Sequence, residues 1–361
     1  MAGELTRADV LAFRVRAQQL DRTAGTLADT AVLDLGVQDI SADAGRWALA
    51  LRGLGDVDAA DLALVWTLRG APHLYRRGDL PGVAVATAPF SDADAAKRVF
   101  DAAKPLTAAG IPVLAALDTI ASQMRAIVTA PTVKGEMSRQ LSQRVDEPYL
   151  RFCRPCNAVH LYEQPFRLAA LRAGLELQPE TSPPVLQPIP DFAPAPTVPE
   201  HLDVVRGYLR LHGPATPQQV AGYLDAPVAD VRSRWPDDAV EVSVEGGRRW
   251  ALAADVDRLG AGPVRTTRLL GPFDPYLQTR DRSLLLPDPR HATDVWRALG
   301  RPGGVLVDGE IVGTWRPRKT GNRLSVQVEL WRGVPVGALT DEAERLAAVR
   351  GTALAGVDVS G

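Results

Sequence analysis

Residues 201–256 limit most tightly what this chain can fold into. Leu202, Val205, Tyr208, Leu209 and His212 recur at the spacing of one helix face. Gly213-Pro214 stops that helix, and Thr216 is a natural N-cap with Pro217 at the first helical position. Val220 and Leu224 give a second helix its apolar side. Val228, Val231 and Trp235 do the same for a third, after the break at 225–227. Val240, Val242 and Val244 then alternate with polar residues, Gly246-Gly247 turns the chain, and Trp250 and Leu252 return. Short helices followed by a hairpin make a winged helix-turn-helix. The expected class is therefore α+β: tandem winged helix-turn-helix units with a C-terminal antiparallel β-meander.

Composition narrows the partners. At 361 residues the chain suits two or three domains, and its 46% hydrophobic and 23% charged residues supply ample core. A formal charge of -2 gives no global pull on nucleic acid, so DNA binding has to come from local basic patches. No run of about 18 apolar residues occurs, so no membrane span is expected. The N-terminus lacks the basic-then-apolar layout of a signal peptide. Cys153 and Cys156 are the only cysteines, which argues against a disulfide framework and for a reducing cytoplasm. Nothing resembles a coiled coil or a long apolar seam, and a monomer is expected.

In chain order, Thr6 caps a first helix striped by Val10, Phe13, Ala17 and Leu20. Gly36 ends a short apolar element, and Gln38-Asp39 follow in a tight connection. Ser41 is the expected cap of the next helix, with Trp47, Ala48 and Leu51 facing the core. Residues 64–68 read as a buried strand and 92–103 as an amphipathic helix. A second helix-turn-helix is expected across 113–145. Eight prolines between 179 and 199 mark an extended linker and the clearest boundary. Gly304–Val307, Ile311–Arg316 and Arg323–Leu330 read as the meander, with hairpin turns at Asp308-Gly309 and Gly321-Asn322. A helix over 340–350 is expected to close the chain. The boundaries are then 1–104 for an N-terminal winged-helix-like domain carrying the Gln38-Asp39 loop, 105–178 for a second such unit, and 179–199 for the linker. Residues 200–262 form the winged helix and 263–361 a β-rich domain.

Four constellations carry candidate chemistry. Gln38 and Asp39 can hold a water and accept its proton, or Asp39 simply caps the following helix. Arg316, Arg318, Lys319 and Arg323 form the densest basic hairpin, suited to a phosphate backbone or to a solvated turn. Cys153-x2-Cys156-x3-His160 has partial zinc spacing, with His73 or Asp146 as a fourth ligand, against a plain reduced cysteine pair. Residues 273–276 and 280–282 suit base stacking or phosphate binding, or a buried Arg–Asp network. Arg69, His73, Lys134 and Arg139 are further candidate DNA contacts. No Gly-rich phosphate loop, Ser-His-Asp ordering or HExxH motif occurs, so those enzyme classes are not supported.

The segments LDLGVQDISADAGRWALALRG (33–53), VWTLRGAPHLYRRGDL (65–80), RLLGPFDPYLQTRDRSLLL (268–286) and VLVDGEIVGTWRPR (305–318) together resemble the AlkZ/YcaQ family of winged-helix DNA glycosylases, in the same order over nearly the whole chain. The resemblance implies tandem winged helices curved around duplex DNA and excision of alkylated or crosslinked bases, in repair or self-resistance, with no cofactor required. A zinc ion at Cys153, Cys156 and His160 would then be structural. The family's catalytic motif is Gln, one spacer, then Gln or Asp. Alignment places Gln38 on the first position and Ile40 on the second, with Asp39 between them. Three readings follow: a glycosylase using Gln38 and Asp39, a non-catalytic winged-helix protein that senses lesions or regulates, or a zinc-stabilised interaction module whose winged helices contact protein.

Overall fold

A computed structural model describes residues 4–40, 43–55 and 57–361. The chain is α+β, and among the described residues the strand pairings within the two compact units are antiparallel except the last. Among the described residues no single helix is long and apolar enough to cross a membrane.

One unit comprises residues 1–57, 205–220 and 235–361. Its first helix, Arg7–Ala17, begins with a reciprocal capping box between Thr6 and Asp9 and buries Val10, Phe13 and Val15. The C-terminal sheet has the strand order Thr267–Leu270, Gly303–Val307, Glu310–Thr320, Arg323–Leu330, Ala353–Ser360. The central three strands are the expected meander, turned at Asp308-Gly309 and Gly321-Asn322. The flanking two differ from expectation. Helix Val336–Val349 does not end the chain; it crosses over so that Ala353–Ser360 lies parallel to Arg323–Leu330. A crossover helix is what a parallel pairing requires. Leu269, Leu306, Val326 and Leu346 fill one core together with Phe13 and Trp47.

Helix Val204–His212 enters this unit with Val205, Tyr208, Leu209 and His212 all buried. Thr216 and Gln219 exchange hydrogen bonds, Gln219 N–H to Thr216 Oγ1 at 3.3 Å and Thr216 N–H to Gln219 Oε1 at 2.9 Å, starting helix Pro217–Leu224. The hairpin of Ala239–Val244 and Gly247–Leu252 turns at Glu245-Gly246, one residue before the expected Gly246-Gly247. Both turn residues have positive φ, as a two-residue hairpin demands.

The second unit comprises residues 58–204 and 221–234. Within it the strands run Pro72–Arg76, Leu62–Trp66, Leu175–Leu177, Val185–Pro188, Thr132–Val133. The proline-rich stretch is thus not linker throughout: Val185–Pro188 pairs on both sides within this sheet. The expected 92–103 helix breaks into Asp92–Arg98 and Ala103–Ala108, because Phe100 between them adopts φ 51°. Helices Val113–Ile127 and Lys134–Ser142, followed by the hairpin of Leu150–Cys153 and Ala158–Leu161, complete the unit around Ile120, Met124 and Phe166.

Candidate functional site

The Gln38-Asp39 connection is built by its flanks. Leu33, Leu35 and Val37 are buried, and Gly36 at φ 86° redirects the chain between them. Gln38 and Asp39 emerge half-buried, while Ile40 is 49% exposed. Asp39 Oδ1 accepts from the Gly45 N–H at 3.0 Å, at the start of helix Ala44–Ala50. Ser41, the expected cap, lies outside the described residues; Asp43 occupies the N-cap position. Gln38 Oε1 accepts from Gln278 Nε2 at 3.4 Å, and the same nitrogen lies 3.4 Å from the Phe273 carbonyl.

Helix Ala44–Ala50 is fastened to the 267–281 segment that carries Gln278. Trp47 Nε1 donates to the Leu269 carbonyl at 2.7 Å. Arg52 grips Asp274 through two bonds of 2.9 Å, with both side chains 0% exposed. Asp274 Oδ1 also accepts from the Tyr276 N–H at 2.9 Å, which starts the turn holding Gln278. A second buried carboxylate, Asp281, accepts from Arg14 at 3.0 Å and Arg249 at 2.7 Å. The aspartates of 273–282 therefore form the buried network of the two sequence readings.

The arginines of that stretch do something else. Arg282 is exposed and stands 4.9 Å over Trp296; Arg301 stands 4.6 Å over the Phe273 ring. Partial desolvation, then the charges of Arg280 and Arg301, hold the Arg282 guanidinium below its ordinary pKa. Burial and then Arg280 do the same to Arg301. Arg280, Arg282 and Arg301 thus act on one another's charge, a local concentration of positive groups suited to a phosphodiester. Sequence reasoning missed Gln278 and Arg301. Nothing local marks either, since Gln278 meets Gln38 across 240 residues.

Arg316, Arg318, Lys319 and Arg323 are all exposed, and no side-chain partner of theirs occurs among the described residues. Arg316 stands opposite Gln327, Arg318 opposite Ser325 and Arg323 opposite Thr320, so these three arginines share one face of the sheet. Lys319, opposite Leu324, points to the other. Further along the arginine face lies a groove of about 360 Å³ lined by Glu329 and Asp358 as well as Arg316. The positive surface is thus confined to the hairpin's far half.

The remaining basic candidates are committed elsewhere. Arg69 donates to the Tyr223 carbonyl at 2.8 Å and lies 4.7 Å over its ring. Lys134 bridges both Glu163 oxygens at 2.7 and 2.9 Å. Arg139 pairs with Glu136 at 2.7 Å on an exposed face and draws that carboxyl down to about 2. His73 is no surface contact: it is 1% exposed and Nδ1–H donates to the Ala71 carbonyl at 2.9 Å. Among the described residues it is not one of the groups gathered around the cysteine pair.

Burial, helped by Arg69, pushes the His73 pKa from the ordinary 6.5 to about 3. The unfolded chain therefore takes up a proton below pH 6.5 that the folded chain refuses until about pH 3. This contribution to stability is whole above 6.5 and falls as the pH drops through that window. At about pH 5 the loss is about 2 kcal/mol. His73→Asn is expected to flatten the acid side of the unfolding free energy by that amount in urea titrations at several pH values. Parallel profiles for parent and variant would contradict the buried neutral imidazole.

Cys153, Cys156 and His160 come together, with their ligand atoms all within 4.8 Å of one another. The Cys156 N–H and then His160 lower the Cys153 thiol to about 7, while Cys156 is raised by its neighbour.

A family model described as DNA glycosylase AlkZ-like matches residues 6–349 of this chain. Among solved structures, the Streptomyces sahachiroi DNA glycosylase AlkZ is similar with a TM-score of 0.75 at 23% identity, covering 99% of this chain and 100% of that one. None of the curated proteins compared matches.

Proposed function

The chain belongs to the AlkZ-like DNA glycosylase family, and from that premise we propose that it hydrolyses the N-glycosidic bond of alkylated or crosslinked bases in double-stranded DNA, acting as a cytoplasmic monomer. The observation that carries this is the adjacency of Gln38 and Asp39 in a loop held by Gln278 and Gly45 and followed by a helix clamped through the buried Arg52–Asp274 bridge. We read the architecture as tandem winged helices: 113–161 and 204–252 each run helices and then a hairpin.

A purine alkylated at N3 or N7 is already cationic and leaves readily, so the protein needs little acid catalysis. What remains is to stabilise an oxocarbenium-like sugar and deliver water. The Asp39 carboxylate, oriented by Gly45, faces the developing positive charge and takes the water's proton. Gln38, held by Gln278, positions that water. Flipping a damaged base costs less than flipping an intact one, because its stacking and pairing are already weak. No cofactor enters this chemistry, and a metal at Cys153, Cys156 and His160 is structural.

Release of methylated purines from alkylated duplex DNA tests the reading, with Gln38→Ala and Asp39→Ala beside the parent. Loss in the variants with DNA binding retained is expected. Salt-sensitive binding with no release from alkylated or crosslinked duplexes would leave the non-catalytic reading, for which the exposed Ile40 at the motif's second place speaks.

Arg316, Arg318 and Arg323 are proposed backbone contacts, with Lys319 on the opposite face of the same hairpin; Arg69 and Lys134 are left out because internal partners hold them. Replacing the three arginines by serine should weaken DNA binding equally for all sequences. It should also flatten the slope of log affinity against log salt by up to about 3, at about 0.9 per lost contact. Fluorescence anisotropy across a salt series reads both, and an unchanged slope would remove this hairpin from the interface.

A further inference from the structure

The hairpin of Leu150–Cys153 and Ala158–Leu161 has little holding it. Phe152 stands directly opposite Val159, and the two are 59% and 57% exposed, so only the Leu161 end of that face reaches the core. On the strands only Leu161 is fully buried. An isolated two-stranded hairpin is marginal in water, and small elements without a core are commonly pinned by a metal.

The turn is shaped to supply such a pin. Asn157, immediately after the second cysteine, adopts φ 48°, and its N–H donates to the Arg154 carbonyl at 3.2 Å. This left-handed residue closes the turn that brings the two cysteines back beside the returning strand. His160 lies on the returning strand opposite Arg151. Its Nδ1–H donates to the Leu161 carbonyl at 2.7 Å. That tautomer leaves Nε2 with the lone pair, the arrangement in which a backbone carbonyl orients a metal-binding imidazole.

We infer that the 150–161 hairpin binds one zinc ion through Cys153 Sγ, Cys156 Sγ and the His160 imidazole, with solvent in the fourth position, and that the ion fixes the shape of this wing. Zn–S bonds of about 2.3 Å and Zn–N of about 2.0 Å put tetrahedral ligand atoms roughly 3.5–3.8 Å apart. Ligand atoms already within 4.8 Å of one another reach that spacing by small side-chain rotations. Two thiolates and a neutral imidazole cancel the charge of the ion. No other His, Cys, Asp or Glu joins the group among the described residues, so solvent completes the shell. The inference stands apart from the glycosylase reading, because every ligand lies in the 58–204 unit and Gln38 in the other.

The test uses the full chain without a histidine tag, under reducing conditions and without DNA. One equivalent of zinc by elemental analysis is expected. Cobalt(II) added to the chelated protein should give the visible bands of a tetrahedral ion and thiolate-to-metal charge transfer. Cys153→Ser and His160→Ala should each weaken zinc binding by about tenfold or more. Chelating the parent protein gives the same comparison without any substitution. Trypsin should cut after Arg151 at least about tenfold faster in the chelated protein than in the zinc form, as expected if the metal folds the hairpin. The proposal is overturned if zinc added to the chelated protein neither binds stoichiometrically nor slows that cleavage. It is also overturned if the cysteines are found joined as a disulfide that protects the hairpin without metal.

Discussion

Asp39→Asn is expected to lower single-turnover excision of an N7-alkylated guanine by about 10²–10⁴ at saturating protein, the usual contribution of a positioned general base. The variant is nearly isosteric, and its Oδ1 can still accept the 3.0 Å bond from the Gly45 N–H. Folding and DNA affinity should therefore stay near those of the parent, and the loss should appear in the chemical step alone. Gln38→Ala should cost less, about 10², because it removes a positioning amide and leaves the base. Its partner Gln278 loses one acceptor but keeps the Phe273 carbonyl. If Asp39→Asn excises at the parent's rate, the carboxylate does not serve the reaction, and the base must be sought elsewhere around the loop.

The second large effect is on stability. Asp274→Ala strands the Arg52 guanidinium where it is 0% exposed, and removing one partner of a buried pair costs about 3–5 kcal/mol. The same substitution deletes the acceptor for the Tyr276 N–H and loosens the turn that carries Gln278. The unfolding midpoint in urea should fall accordingly, and excision should fall with it. Replacing both partners, Arg52→Met with Asp274→Leu, should recover much of the stability, since no buried charge is left unpaired. Excision should not recover, because the turn is still uncapped. A loss for Asp274→Ala no larger than the ~1 kcal/mol of a surface pair would contradict the role given to this bridge.

The parts of the fold legible in the sequence are those fixed by neighbours along the chain. Thr216 and Gln219 form their capping box within three residues, and the buried stripe of Val205, Tyr208 and Leu209 is set by helical period. The Asp308-Gly309 and Gly321-Asn322 turns are likewise local. Pairing between distant segments was not legible. Ala353–Ser360 joins the sheet in parallel only after a crossover, and Val185–Pro188 takes partners on both sides despite its flanking prolines. His73 looked like a surface cation because nothing nearby in sequence reveals the strands that bury it. The candidate site divides in the same way. Gln38 and Asp39 stand out by adjacency, whereas Gln278 and the Arg52–Asp274 clamp come from more than 200 residues away.

This chain is expected to cut the N-glycosidic bond of an alkylated base in a duplex. The most direct measurement is mass spectrometry of a duplex bearing one N7-alkylated guanine after incubation with excess intact protein. Hydrolysis yields free alkylated guanine and an abasic strand in equal amounts, with all else intact. A duplex recovered whole while demonstrably bound would contradict it.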